Sequence, residues 1–66
     1  MDPNENLREQ RRLAAHIVWA VDNDRWIESD VTDAARLAEL VAAMDEWIRN
    51  GGFLPGEWRR VAAEAL

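Results

Sequence analysis

Ala34–Gly52 reads AARLAELVAAMDEWIRNGG, and this stretch decides the fold. Ala34, Leu37, Ala38, Leu40, Val41, Met44, Trp47 and Ile48 recur at three- and four-residue spacing, the period of an α-helix. They cover nearly half of the helix circumference, wider than the roughly 100° stripe of a helix packing on one neighbour. Asn50-Gly51-Gly52 then stops the pattern, because glycine supplies the left-handed residue of a C-terminal cap. Phe53 or Leu54 can give that cap its hydrophobic contact. This helix, at about residues 31–50, is expected to be the central element, with one neighbour on each flank.

Upstream, Asp2-Pro3 opens an earlier helix as an N-cap acceptor followed by proline in the first turn. Leu7, Leu13, Ala14, Ile17, Val18 and Val21 form its apolar stripe, and Asp22-Asn23-Asp24 ends it, giving a helix at about residues 3–22. Ser29 or Asp30 is the expected cap of the second helix, with Asp33 in its first turn. Trp26 and Ile27 lie in the connection and are expected to fold back over the open end of the hairpin. Downstream, Pro55 starts a short third helix, about residues 55–65, with Glu57, Trp58, Val61, Ala62 and Leu66 along it. The expected fold is all-α: one small domain over residues 1–66, a helical hairpin plus a short C-terminal helix.

A 66-residue domain buries only about 60% of the surface that its unfolded chain exposes. It needs support from a disulfide, a metal, well-packed helices or a second copy. The chain has no cysteine, which excludes disulfides and thiolate metal sites. With one histidine, a zinc site would need carboxylates for its other ligands. Homodimerisation is the expected completion. The 48% apolar content excludes a wholly disordered chain, and no apolar run is long enough to cross a bilayer. The N-terminal MDPNENLREQ does not read as a secretory signal, so the expected location is the cytoplasm.

The net charge of −5 is concentrated between residues 22 and 48, a sign that opposes unspecific attraction to nucleic acid or anionic membrane. Started at Asp22, a calcium-binding loop would place Trp26 at a ligand position and Ile27 at the required glycine, so the acids read as caps and solvated groups. His16 has no serine, cysteine or second histidine to act with, and no enzymatic constellation is present. No catalytic residue, cofactor or metal is expected.

Four tryptophans in 66 residues are dense enough to need explanation. Trp47 and Trp58 read as core, packed beside one another under the glycine cap. Trp19 lies off the apolar stripe, near Arg12 and His16, and an aromatic beside arginine is the composition of an interface hot spot. The expected partner or dimer interface therefore comprises Trp19, Arg12, His16, Leu40 and Trp47. An alternative reading takes the helix, glycine turn and short arginine-bearing helix as distantly like helix-turn-helix. DNA would then meet Arg8, Arg11, Arg12, Arg59 and Arg60.

The segment RLAELVAAMDEWIRNGGFLPGEW (Arg36–Trp58) resembles small proteins encoded by actinobacteriophages and actinobacterial prophages. The shared features are a helix ending in DEW, a GGFLP turn and a following tryptophan. A looser likeness extends back through LREQRRLAAHIVWAVDND, residues 7–24. The resemblance implies a phage source and brings no activity or site residues with it. The function expected is a non-enzymatic accessory protein that acts through protein–protein contact with a host or phage protein.

Overall fold

A computed structural model describes residues 1–65, which form three helices: α1 (Pro3–Asp22), α2 (Glu28–Arg49) and α3 (Gly56–Ala65). The fold is the all-α hairpin with a short third helix. Leu66, the last position in the stripe read for α3, lies outside the described residues. Asp2 caps α1 with its carboxylate, accepting the amides of Asn4 (2.9 Å) and Glu5 (3.3 Å), and Pro3 follows in the first turn.

α1 and α2 pack antiparallel along two seams that share a 3-4 spacing. On α1 the positions are Pro3, Asn6, Gln10, Leu13, Ile17 and Ala20; on α2 they are Asp30, Asp33, Leu37, Leu40, Met44 and Trp47. All twelve are buried or half-buried. An alternating three-and-four spacing is the seam of paired helices supercoiling around one another. Asn6 sits inside this seam and donates its side-chain amide to the Leu40 carbonyl (3.0 Å), while its oxygen accepts from Gln10 (2.6 Å). A polar residue satisfied in such a seam fixes the register of the two helices. On one side the hairpin is strapped by Arg36, which is held on Glu9 at 3.1 Å.

Several expectations need correction. Val18 and Val21, read as part of α1's core stripe, are exposed, and Ala20 is buried instead. Helix two begins at Glu28, so neither Ser29 nor Asp30 is its cap. Asp30 is the third helical residue and reaches back to accept the Ile27 amide (2.8 Å), the return half of a capping box. Trp26 and Ile27 do not close the open end; both are exposed. The reason is a lack of slack. In the Asn23–Ile27 connection, the Arg25 amide donates to Ala20 (2.7 Å) and the Asp24 amide to Val21 (3.2 Å), a Schellman motif that holds Asp24 at φ 52°. With both ends of so short a link already bonded, its two large side chains point outward.

The end of α2 behaves as expected. Gly51 takes φ 87°, the Gly52 amide donates to Trp47 (2.8 Å) and the Gly51 amide to Ile48 (3.0 Å). Phe53 supplies the hydrophobic contact, meeting Trp47 edge to face at 5.5 Å. The Trp47 indole N–H donates to the Phe53 carbonyl (2.9 Å). Trp47 is thus paired with Phe53 and not with Trp58. Trp58 lies on the other flank of α2, in a cleft with Gln10, Val41, Met44 and Ile48.

α3 is anchored through its first turn. The Asn4 side chain accepts the Gly56 amide (2.7 Å), Arg11 pairs with Glu57 (2.5 Å), and Arg59 lies 5.9 Å from the Phe53 ring centroid. Trp58, half-buried, lines the cleft on the α2 side of this anchor.

Candidate functional site

Two surfaces carry unusual chemistry. The first is polar and crosses the hairpin near its turn. His16 of α1 lies 2.8 Å from Asp30 of α2, and Asp30 is only 1% exposed. The carboxylate pKa is lowered, first by the Ile27 amide and then by His16, with burial acting in the opposite sense. His16, Asp30 and Asp33 hold the one group of donor atoms among the described residues close enough for a metal ion, within 4.8 Å of one another. Their arrangement already has an internal use. Both oxygens of Asp30 are engaged, and Asp30 sits in the first turn of α2, where the helix dipole favours anions over cations. Asp33, expected in that turn, lies in the second because the helix starts at Glu28.

Trp19 stands beside this group on α1, 53% exposed, its ring stacked near that of His16 with 6.4 Å between centroids and 22° between planes. Arg12 is also exposed and makes no ion pair among the described residues. Trp19, His16 and Arg12 therefore share one ridge of α1. Leu40 does not join them: it is buried in the hairpin seam, and its carbonyl is taken by Asn6, so it cannot touch a partner. Trp47 is half-buried against Phe53 at the far end of α2. The five residues read as an interface thus divide into one exposed ridge, one core residue and one cap residue.

The arginines do not gather into one basic surface. Arg8 pairs with Glu5, Arg11 with Glu57 and Arg60 with Glu64, while Arg59 lies over Phe53.

The second surface is apolar. All five valines of the chain are between 49% and 60% exposed. Valine is normally among the most buried residues, and its branched side chain brings no advantage to an exposed helix position. Four of them follow a second 3-4 spacing displaced around each helix: Leu7, Arg11, Ala14, Val18, Val21 on α1, and Val31, Ala34, Ala38, Val41, Asp45, Ile48 on α2. Val41 and Ile48 line a cleft together with Trp58, so this face is the side on which α3 begins. The Glu9–Arg36 and His16–Asp30 pairs fall on the opposite side of the hairpin. No helix among the described residues is long and apolar enough to cross a membrane. Comparison with family models, curated proteins and solved structures finds no match to this chain.

Proposed function

We propose that the chain is a non-enzymatic interaction protein that works as a homodimer and offers the Trp19 ridge to a second protein. The observation carrying this reading is that the hairpin is one layer thick. The chain extends 40 Å but is only 15 Å across its thinnest axis, whereas a domain ordinarily closes two layers around a core. Its radius of gyration of 14.0 Å exceeds the roughly 11 Å of a compact chain this long. The accessible surface of 4944 Å² is about 650 Å² above that of a typical folded monomer of this mass. One side of a standard protein interface buries about 800 Å². The excess is comparable to the area that one side of an interface buries, which supports the dimer reading.

Trp19, half-exposed and braced on His16 beside Arg12, has the make-up of an interface anchor. The likeness of Arg36–Trp58 to small phage proteins supports an accessory role in a phage or prophage setting, in the cytoplasm of the bacterial host. Sedimentation equilibrium from low micromolar to millimolar protein tests the reading. It expects a monomer–dimer equilibrium and a melting temperature that rises with concentration. A monomer with a concentration-independent melting temperature throughout would sink it.

A further inference from the structure

We propose that the two copies meet through the valine face, forming a two-fold four-helix bundle that leaves the Trp19 ridge outside. The inference rests on the dimer reading above and adds the surface that the dimer uses. Each helix of the hairpin carries two seams. The first, through Asn6, Leu13, Leu40 and Met44, is consumed by the hairpin itself. The second is exposed at Val18, Val21 and Val31, near the hairpin turn, and borders the cleft beside Trp58 at Val41 and Ile48. One seam per helix suffices for a two-helix hairpin, while two adjacent seams per helix are what a four-helix bundle requires.

Charge identifies a second copy as the occupant. The chain carries −5, so self-association through an acidic face would be opposed. The valine face escapes that penalty. Leu13–Val21 contains no arginine, aspartate or glutamate, and the second seam of α2 between Val31 and Val41 is built of valine and alanine alone. Small side chains at Ala14, Ala34 and Ala38 let two such faces approach closely. The acids of that part of α2, Asp33 and Glu39, lie off this seam. Arg11 and Asp45 of the same seam lie beyond this stretch, and an uncharged patch is self-complementary, as the isologous interface of a two-fold dimer must be. The roughly 650 Å² of excess surface per chain is also close to what each side of a stable dimer buries.

The test compares Val18→Glu, Val31→Glu and Trp19→Glu by sedimentation equilibrium, with helicity followed by circular dichroism. Each valine is exposed in the single chain, so its replacement leaves the hairpin seam intact. Both valine variants are expected to dimerise about 100-fold more weakly or worse, since like charges meet across the two-fold axis, while Trp19→Glu keeps the wild-type constant. A second measurement uses the unaltered protein. Valine methyl signals should be shielded from a soluble paramagnetic agent at high concentration and exposed at low. Dimerisation that survives both valine changes, with methyls equally accessible at both concentrations, overturns the valine face but keeps the dimer. A monomeric wild type removes the dimer reading itself.

Discussion

Asp30 Oδ1 lies 2.8 Å from His16 Nε2, so one buried carboxylate joins the first turn of α2 to the flank of α1. Its other oxygen holds the Ile27 amide at 2.8 Å, which makes the start of α2 and its attachment to α1 a single arrangement. This carboxylate titrates below its ordinary value of 3.8, chiefly because of the Ile27 amide. A lowered carboxylate pKa means that the unfolded chain binds the proton more readily than the folded one. The stabilisation is therefore complete above the unfolded value and drains away as pH falls through the lower folded value. Urea midpoints of the wild type should fall on acidification below about pH 4. Asp30→Asn should melt several degrees lower at neutral pH and lose that acid-dependent component; parallel pH profiles would remove Asp30 as its source.

Asn6 makes the reverse test, on a neutral buried group. Its amide holds the Leu40 carbonyl, and its oxygen is satisfied by Gln10. Asn6→Ala should cost about 1–2 kcal/mol of hydrogen bonding and packing. Asn6→Asp should cost more, because it sets a carboxylate against a carbonyl oxygen with nothing to neutralise it. Denaturant unfolding at neutral pH ranks the two, and an aspartate variant as stable as wild type would mean that Asn6 is not enclosed as described.

How far the fold was legible follows from the same seam. Helix type, hairpin order, both ends of α1 and the end of α2 can be read because apolar spacing, Asp2-Pro3, Asp22-Asn23-Asp24 and Asn50-Gly51-Gly52 are local signals. The inward face of α1 cannot be read in this way. Its seam holds Pro3, Asn6, Gln10 and Ala20, which are polar or small, whereas Leu7, Ala14, Val18 and Val21 on the adjacent seam are more apolar. A hydrophobicity stripe merges the two and assigns the valines to the hairpin. The width of α2's arc was the usable clue, since it called for a neighbour beyond α1. The His16–Asp30, Asn4–Gly56 and Arg11–Glu57 contacts join residues distant in sequence, so no local spacing marks them.

The adjacent glycines after α2 serve different purposes, and substitution separates them. Gly51 has φ 87° and open space around it, so Gly51→Ala should cost about 1 kcal/mol from backbone conformation alone. Gly52 has no such φ, but a Cβ there would overlap the Trp47 indole. That ring is held by Phe53 through its N–H and by edge contact. Gly52→Ala should cost about 1–3 kcal/mol by overpacking and change tryptophan fluorescence, whereas Gly51→Ala leaves the emission unaltered. Equal fluorescence changes in both variants would contradict the division.

Asp24 offers a substitution in the stabilising direction. It closes α1 with φ 52°, the role that glycine fills at Gly51, but with a side chain that resists it. Asp24→Gly should stabilise the hairpin by about 0.5–1 kcal/mol, the relief of left-handed strain less the added entropy of the unfolded chain. It also removes one negative charge from the acidic turn. Asp24→Asn separates the two effects, because it removes the charge while keeping a side chain. If the asparagine variant matches the glycine variant in thermal unfolding, charge and not backbone strain is responsible.

Trp58 decides whether α3 stays on the hairpin. The helix is only ten residues long, too short to persist alone in water. Beyond Trp58, its ties are the Asn4–Gly56 and Arg11–Glu57 contacts and the Arg59–Phe53 approach, all made at exposed positions. Exposed ion pairs contribute about 0–1 kcal/mol each, less than burial of an indole. Trp58→Ala should therefore release α3 as a unit while α1 and α2 remain paired. Amide hydrogen exchange would register this as lost protection in Arg59–Glu64, with the amides of Leu13 and Leu40 still slow. Uniform loss of protection across all three helices would instead make α3 part of one cooperative core, and the hairpin would no longer be separable from it.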